Sequence, residues 1–429
     1  MNQVREETYA KIKKKLLYTA GIFVVFLIGL SIPIPLMGAG TTAASTGINQ
    51  NLLNVTSVVT GGNYFSPSLF SLGLGPWMFA TILLRFAGVE KIVRKNKLSK
   101  KIVDYSRIVL MVIMAIIMAI SFSAHYQLQS LSLGSLSGTI ITKIIVVAIL
   151  TAGALAVAWL GNQNKEKGLG GVTMLILYQI VITIISNFSL LTNATFTSAQ
   201  SAMVTATAIA SIATLIYAIV SNKKELRMHV NKTSIDSGYT GKSYMPVKWN
   251  PAGASPIMYG LTLMALPLFL VHSITVIFPH ASTSSAASTF LSGFSVGSPA
   301  GFVFYLGLLF ALTIFFSLIT VDPKQLSQDM IDTGEYFDNV APGEPTRRYI
   351  RIRVMRLALI SGAFLVVLTG LPMFFIQKAP NLAFLFALPG TVLIFVGLII
   401  IVQEEVADLM LGTKYSSLFS DGAEMGDTK

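Results

Sequence analysis

Of the 50 charged side chains in this chain of 429 residues, 48 fall within six short blocks, and the stretches between them are almost free of charge. The blocks cover residues 1–17, 85–107, 161–168, 221–248, 322–356 and 403 onward, leaving only Lys143 and Lys378 outside. A charge near the middle of a bilayer costs several kcal/mol, so this spacing is that of a chain crossing a membrane repeatedly. Lys and Arg concentrate in loops retained on the cytoplasmic side. Six such blocks imply five external loops, ten crossings and both termini in the cytoplasm.

The apolar runs support that count. At about 1.5 Å per residue, a helix needs about 20 residues to cross a hydrocarbon core of about 30 Å. Runs that fit lie near residues 16–37, 69–86, 108–122, 142–160, 171–191, 203–220, 255–278, 301–321, 357–375 and 382–402. Composition agrees: 53% of residues are hydrophobic, 12% are charged and the mean hydropathy is +0.69, against roughly 25% charged in an average soluble domain. The expected fold class is an all-α polytopic membrane protein.

A secretory signal is the competing reading of the first run, which follows Lys11, Lys13, Lys14 and Lys15. The run exceeds the ~7–15 residues of a signal core and no clear small-x-small cleavage site follows, so a retained crossing is expected. The absence of cysteine excludes disulfides, thiolate metal sites and thiol catalysis. The net charge of +12 sits in juxtamembrane loops, where it sets topology and meets anionic lipid; nucleic-acid binding is not expected.

One segment breaks the pattern. Residues 38–68 carry no charge, are rich in Gly, Ser, Thr and Asn, and lead directly into the short apolar run at 69–86. Lipid does not tolerate unpaired backbone, so such a stretch must be an external loop, be buried in protein or line a water-filled cavity. The crossings contain no Asp or Glu, and their basic residues, Arg85 and Lys143, lie at crossing ends. An ion-coupled transporter keeps ionisable groups near the midplane; a passive conduit needs none. His272 and His280 are expected at an external membrane interface. Gly241-Lys242-Ser243 has the ending of a phosphate-binding loop, but Asp236 occupies the leading glycine position. No zincin, nucleophile-elbow or paired-carboxylate arrangement falls in a crossing, so no enzyme, cofactor or metal is expected.

Five stretches, in order, carry a resemblance: Gly61-Gly62-Asn63-Tyr64-Phe65-Ser66-Pro67 continuing to Trp77-Met78; Trp159-Leu160-Gly161-Asn162-Gln163 with Lys167-Gly168-Leu169-Gly170-Gly171; Asn250-Pro251-Ala252-Gly253-Ala254-Ser255-Pro256; Asp322-Pro323 with Pro342-Gly343-Glu344-Pro345-Thr346; and Tyr415-Ser416-Ser417-Leu418. Together they resemble SecY, the channel subunit of the bacterial protein translocase, over essentially the whole chain.

The resemblance implies a clamshell of two inverted five-helix halves, residues 1–200 and 201–429, that passes unfolded secretory polypeptides across the cytoplasmic membrane. Residues 38–68 then contain the plug, with Thr42, Asn51, Asn54, Gly61 and Gly62 among its members. The family's pore-ring positions fall on Leu74, Met78, Ile176, Ile180, Met258 and Phe395. Apolar side chains there offer ions no substitute for hydration, and Met adapts to a passing chain.

Implied partners are a SecA-type ATPase motor, a SecE-type subunit and other small membrane subunits, the translocating polypeptide and anionic lipids. The implied motor-docking residues are Lys223, Lys224, Arg227, Lys242 and Lys248 on one cytoplasmic loop and Arg347, Arg348 and Arg351 on the next. Two departures stand out: Ala341 occupies the site where housekeeping members carry an arginine before the Pro-Gly, and the usual Gly-Ile-Gly-Asn-Gly pattern before the fifth helix is shortened. Both resemble accessory-system members that export large serine-rich glycoproteins with a dedicated motor. A housekeeping channel and a small-molecule secondary transporter are the alternatives.

Overall fold

The computed structural model describes residues 2–41, 67–89, 99–124, 126–128, 138–192, 197–232, 243–277, 293, 298–379 and 382–424. Eight helices among them are long and apolar enough to cross a membrane. A ninth, α5 (Gly171–Thr192), has 22 residues, about 33 Å of rise. The run at 69–86 is different. Its helix, α2, spans only Gly75–Phe86, about 18 Å. Residues 68–75 instead form successive tight turns around Gly73, whose φ of 52° lies where glycine is favoured, and Pro76 starts the helix. The expectation of a crossing helix from residue 69 is thereby corrected.

The chain forms two compact units. The first comprises residues 1–194, 262–292 and 398–429: α1 (Asn2–Ser31), β1 (Met37–Thr41), α2, α3 (Lys100–Ser123), β2 (Tyr126–Leu128), α4 (Gly138–Lys167), α5, and the later parts of α7 (Ser255–Ile277) and α11 (Ala383–Glu424). Phe79, Met114, Met118, Phe122, Leu150 and Phe269 lie in its core, with the Phe79 and Phe269 rings edge to face at 6.3 Å. β1 and β2 pair antiparallel, Met37 opposite Leu128 and Thr41 opposite Tyr126. Burial pushes the Tyr126 hydroxyl up to about 12.

His272 is packed into this interior. It is 6% exposed, and its Nδ1 lies 2.9 Å from Ser121 Oγ. The neighbouring Ser273 hydroxyl donates to the carbonyl of Ile117 on α3 or of Phe269 on its own helix, each at 2.7 Å. A polar group inside the membrane must find such partners within the protein. His280 lies outside the described residues.

The second unit comprises residues 195–261 and 293–397: α6 (Ser198–Lys223), β3 (Glu225–His229), β4 (Asn231–Lys232), β5 (Tyr244–Lys248), α8 (Pro299–Val321), α9 (Pro323–Thr333), β6 (Glu335–Tyr336), α10 (Glu344–Leu365), and the earlier parts of α7 and α11. Ile350, Val354, Leu357, Ala358, Ser361, Gly362 and Leu365 of α10 are buried, the three-and-four spacing of one helix face. Ser and Thr in the crossings return their hydroxyls to carbonyls one turn back, as in Thr214 to Ala210, Thr313 to Leu309 and Thr369 to Leu365. That is how otherwise polar side chains are carried through lipid. Beyond Leu365 the backbone loosens to a π turn and then tightens to a 3₁₀ segment at Leu371–Gln377, where Pro372 has no N–H for an α-helical bond.

Candidate docking platform and pore-lining segments

The two charged loops expected to dock a motor form one folded structure. After α6 the chain turns at Lys224 into β3, which pairs with β5 from Glu225 opposite Lys248 to His229 opposite Tyr244. Trp249 N–H closes the base of the hairpin on the Lys224 carbonyl at 2.9 Å. Beyond the hairpin, β4 pairs with β6 of the second loop, Asn231 opposite Tyr336 and Lys232 opposite Glu335. The Asn231 amide also donates to Asp338 Oδ1. Segments a hundred residues apart in sequence are thus one sheet-bridged platform.

Alternation along the strands gives the hairpin two faces. Met228 and Val247 point inward and join Val230, Met330, Phe337, Ile350, Val354 and Leu357 in one apolar cluster. At about 1.5–3 kcal/mol for each large side chain buried, this cluster is what holds the loops together. Glu225, Arg227, His229, Tyr244 and Lys248 are exposed. The Arg227 guanidinium lies 4.7 Å above the Tyr244 ring, a cation–π contact across the hairpin.

Lys223, Lys224, Arg227, Lys248, Arg348 and Arg351 are exposed. Arg347 is half-buried, and its Nη1 reaches both carboxylate oxygens of Glu344, at 3.0 and 3.2 Å. Lys242 and the phosphate-loop-like Gly241 lie outside the described residues. The turn into α10 is held by its backbone: Thr346 Oγ1 donates to the Ala341 carbonyl at 2.9 Å, and Ser327 Oγ to the Gly343 carbonyl at 2.8 Å. Gly343 has φ 95° and ψ −130°, essentially a glycine-only conformation. The side chain at 341 is exposed while its carbonyl is tied down, so the residue there is free to vary without disturbing the turn.

The positions expected to form a pore ring divide between the units. Leu74 and Met78, one turn apart at the start of α2, and Ile176 and Ile180, one turn apart on α5, are each no more than 3% exposed in the first unit. Met258 and Phe395 are half-buried in the second, where Gly390 and Gly397 of α11 pack against Ile257 and Ala254 of α7. Thr42, Asn51, Asn54, Gly61 and Gly62 lie outside the described residues. The flanks of their segment are pinned together: Ile34 N–H donates to the Pro67 carbonyl and Leu69 N–H to the Ile32 carbonyl, both at 3.0 Å. Residues 32–34 and 67–69 therefore lie side by side. A Cβ on Gly153 would sit 1.9 Å from the Leu69 carbonyl oxygen, so α4 can approach this clamp only with glycine there.

Sequence reasoning missed the residues that secure the turn from α4 to α5. Asn164, fully buried, donates from Nδ2 to the Leu169 carbonyl at 2.7 Å and the Gly171 carbonyl at 2.9 Å. Its Oδ1 faces the Thr19 hydroxyl of α1, which also accepts from Leu169 N–H. Glu405 of α11 accepts from Gly170 N–H at 2.8 Å. The legible signal was the glycine cluster; its partners on α1 and α11 left none. Among the described residues no group of His, Cys, Asp or Glu could hold a metal ion.

The chain is similar to a solved structure described as a protein conducting channel, with a TM-score of 0.62 and 16% identity over 94% of this chain and 93% of that one. It is similar to a SecY structure whose plug domain stabilises the closed state and maintains a membrane seal, at TM-score 0.60 and 16% identity over the same shares. In sequence it is 31% identical, over 95% of its length and 96% of theirs, to the accessory Sec system protein translocase subunit SecY2 of Leuconostoc gelidum subsp. gasicomitatum. The subunit of the same name from Streptococcus sanguinis strain SK36 is 30% identical over 94% of this chain and 97% of its own. The SecY family model matches residues 68–403. With most of its sequence matched by that family's model and by these relatives, this multi-pass membrane protein belongs to the SecY family.

Proposed function

We propose that this chain is the protein-conducting subunit of an accessory Sec translocase, passing large serine-rich glycoproteins in an unfolded state across the cytoplasmic membrane, with both termini in the cytoplasm. Residues 1–200 and 201–429 act as its two inverted halves. Leu74, Met78, Ile176, Ile180, Met258 and Phe395 form the apolar constriction, and residues 38–68 close it as a plug. A SecE-type subunit and other small membrane subunits accompany it in anionic lipid.

The observation that carries this reading is the platform: two basic loops, joined by β4–β6 and a shared apolar cluster, present Lys223, Lys224, Arg227, Lys248, Arg348 and Arg351 outward. Moving a polypeptide through a channel needs a driving motor, and a rigid basic surface is suited to receive one. Lys242 and Arg347 complete the proposed docking set. Ala341 supports a dedicated motor, since alanine lacks the planar, multiply donating head of arginine.

The test is translocation into vesicles containing the purified chain, driven in turn by the accessory and the housekeeping SecA-type motor. We expect robust transport with the first and poor transport with the second, and improved use of the second by Ala341→Arg. Equal, strong transport by the native chain with both motors would refute the accessory assignment and leave the channel assignment standing.

A further inference from the structure

Gln179 of α5 is 5% exposed, and its Oε1, sealed from solvent, has no hydrogen-bond partner among the described residues. Buried polar groups are nearly always paired, so an orphan acceptor in a membrane-spanning helix needs a reason. Its position supplies one. At about 100° of turn per residue, Gln179 shares one side of α5 with Ile176 and Ile180, both buried. Tyr178, on the other side, stacks on Phe23 of α1 at 4.8 Å. Thr183, one turn along from Gln179, donates its hydroxyl to the Gln179 main-chain carbonyl at 2.8 Å. We propose that the Gln179 side chain is the acceptor that holds the backbone N–H groups of a polypeptide passing through the constriction.

The chemistry suits that role. A polypeptide entering an apolar constriction sheds water from its N–H groups, and an unpaired N–H is costly there. Every residue except proline carries this donor, so a carbonyl acceptor in the wall serves a chain of almost any sequence, which an ionic contact does not. An uncharged amide does so without drawing in ions as a carboxylate would. In the idle channel the oxygen stays unpaired at a cost to stability, and that cost is recovered when a chain arrives. The inference rests on the reading of Ile176 and Ile180 as pore-lining.

Motor-driven transport into vesicles tests it, with two cargoes matched in length, one free of proline and one carrying a long proline run. Gln179→Met, similar in size but without a carbonyl, should slow the proline-free cargo about three- to tenfold. Gln179→Asn, which keeps an acceptor, should retain most of the rate. While the proline run occupies the channel, the native chain and Gln179→Met should move it at similar speed, because the donors are missing. Gln179→Met should also raise the melting temperature of the idle channel by about 1–3 °C, since the orphan acceptor is gone; loss of a merely structural glutamine would lower it. Undiminished transport by Gln179→Met, equal slowing of both cargoes, or a lowered melting temperature would overturn the proposal. Photo-crosslinking from an arrested cargo to the unaltered chain gives a second readout that depends on no variant folding. Labelling at 176, 179 and 180 supports the contact. Labelling at 176 and 180 but not at 179 defeats this proposal alone, and no labelling across 176–180 defeats it together with the pore-lining reading of α5.

Discussion

Thr19 on α1 and Asn164 on α4 meet at 2.8 Å across 145 residues of sequence, the threonine hydroxyl aimed at the asparagine carbonyl oxygen. Through this pair one helix secures a turn between two others, because Asn164 holds the carbonyls of Leu169 and Gly171 and Thr19 holds the N–H of Leu169. Leaving such buried groups unpaired costs about 1–3 kcal/mol each. Asn164→Ala should lower the melting temperature of the detergent-purified protein by several degrees. Asn164→Asp should do at least as much harm, since a carboxylate cannot donate to two carbonyls. Thr19→Ser should be nearly neutral and Thr19→Val should not, and a thermal melt of all four separates these outcomes.

The platform should unfold locally when its apolar cluster is cut. Ile350 and Val354 are fully buried in it and Met228 nearly so. Removing a buried Ile or Met side chain to Ala typically costs about 2–5 kcal/mol. For Met228→Ala and Ile350→Ala we expect faster amide exchange across residues 225–248 and 335–354, with exchange in α3 and α4 unchanged. Uniformly faster exchange throughout would mean that the platform has no cooperativity of its own.

Arg227 and Tyr244 separate docking from folding. Their contact lies on the exposed face of the hairpin, where a cation–π pair contributes about 0.5–1 kcal/mol. Arg227→Ala should shift the melting temperature by no more than about two degrees yet reduce motor affinity severalfold. Equal motor binding by Arg227→Ala in a pull-down or titration would remove that residue from the docking surface.

The proposed apolar constriction makes an electrical prediction. A charged side chain there would draw in water and ions, so Met78→Asp and Ile180→Asp should raise the resting conductance of planar bilayers. An Asp at the exposed position Ile212 on α6 should instead impair insertion. Deleting residues 42–59 should likewise yield an inserted but leaky protein. Silent bilayers from all three constriction and plug variants would show that these segments do not seal the pore.

The sequence by itself determined the membrane class, the ten apolar runs and the identity of the loops that carry charge, because the cost of placing a charge in hydrocarbon acts residue by residue and leaves its record in one dimension. The family could also be read there, from short motifs in order. Tertiary structure alone decided the rest. That α2 begins only at Gly75 follows from turns at 68–75 and the clamp between residues 32–34 and 67–69. That the loops at 221–248 and 322–356 are one platform follows from pairing between β4 and β6. That His272 is buried against Ser121 follows from where α3 and α7 meet. Asn164, Thr19 and Glu405 pass unnoticed as isolated letters, since a hydrogen bond is decided by where distant segments meet, and local composition carries no trace of that meeting.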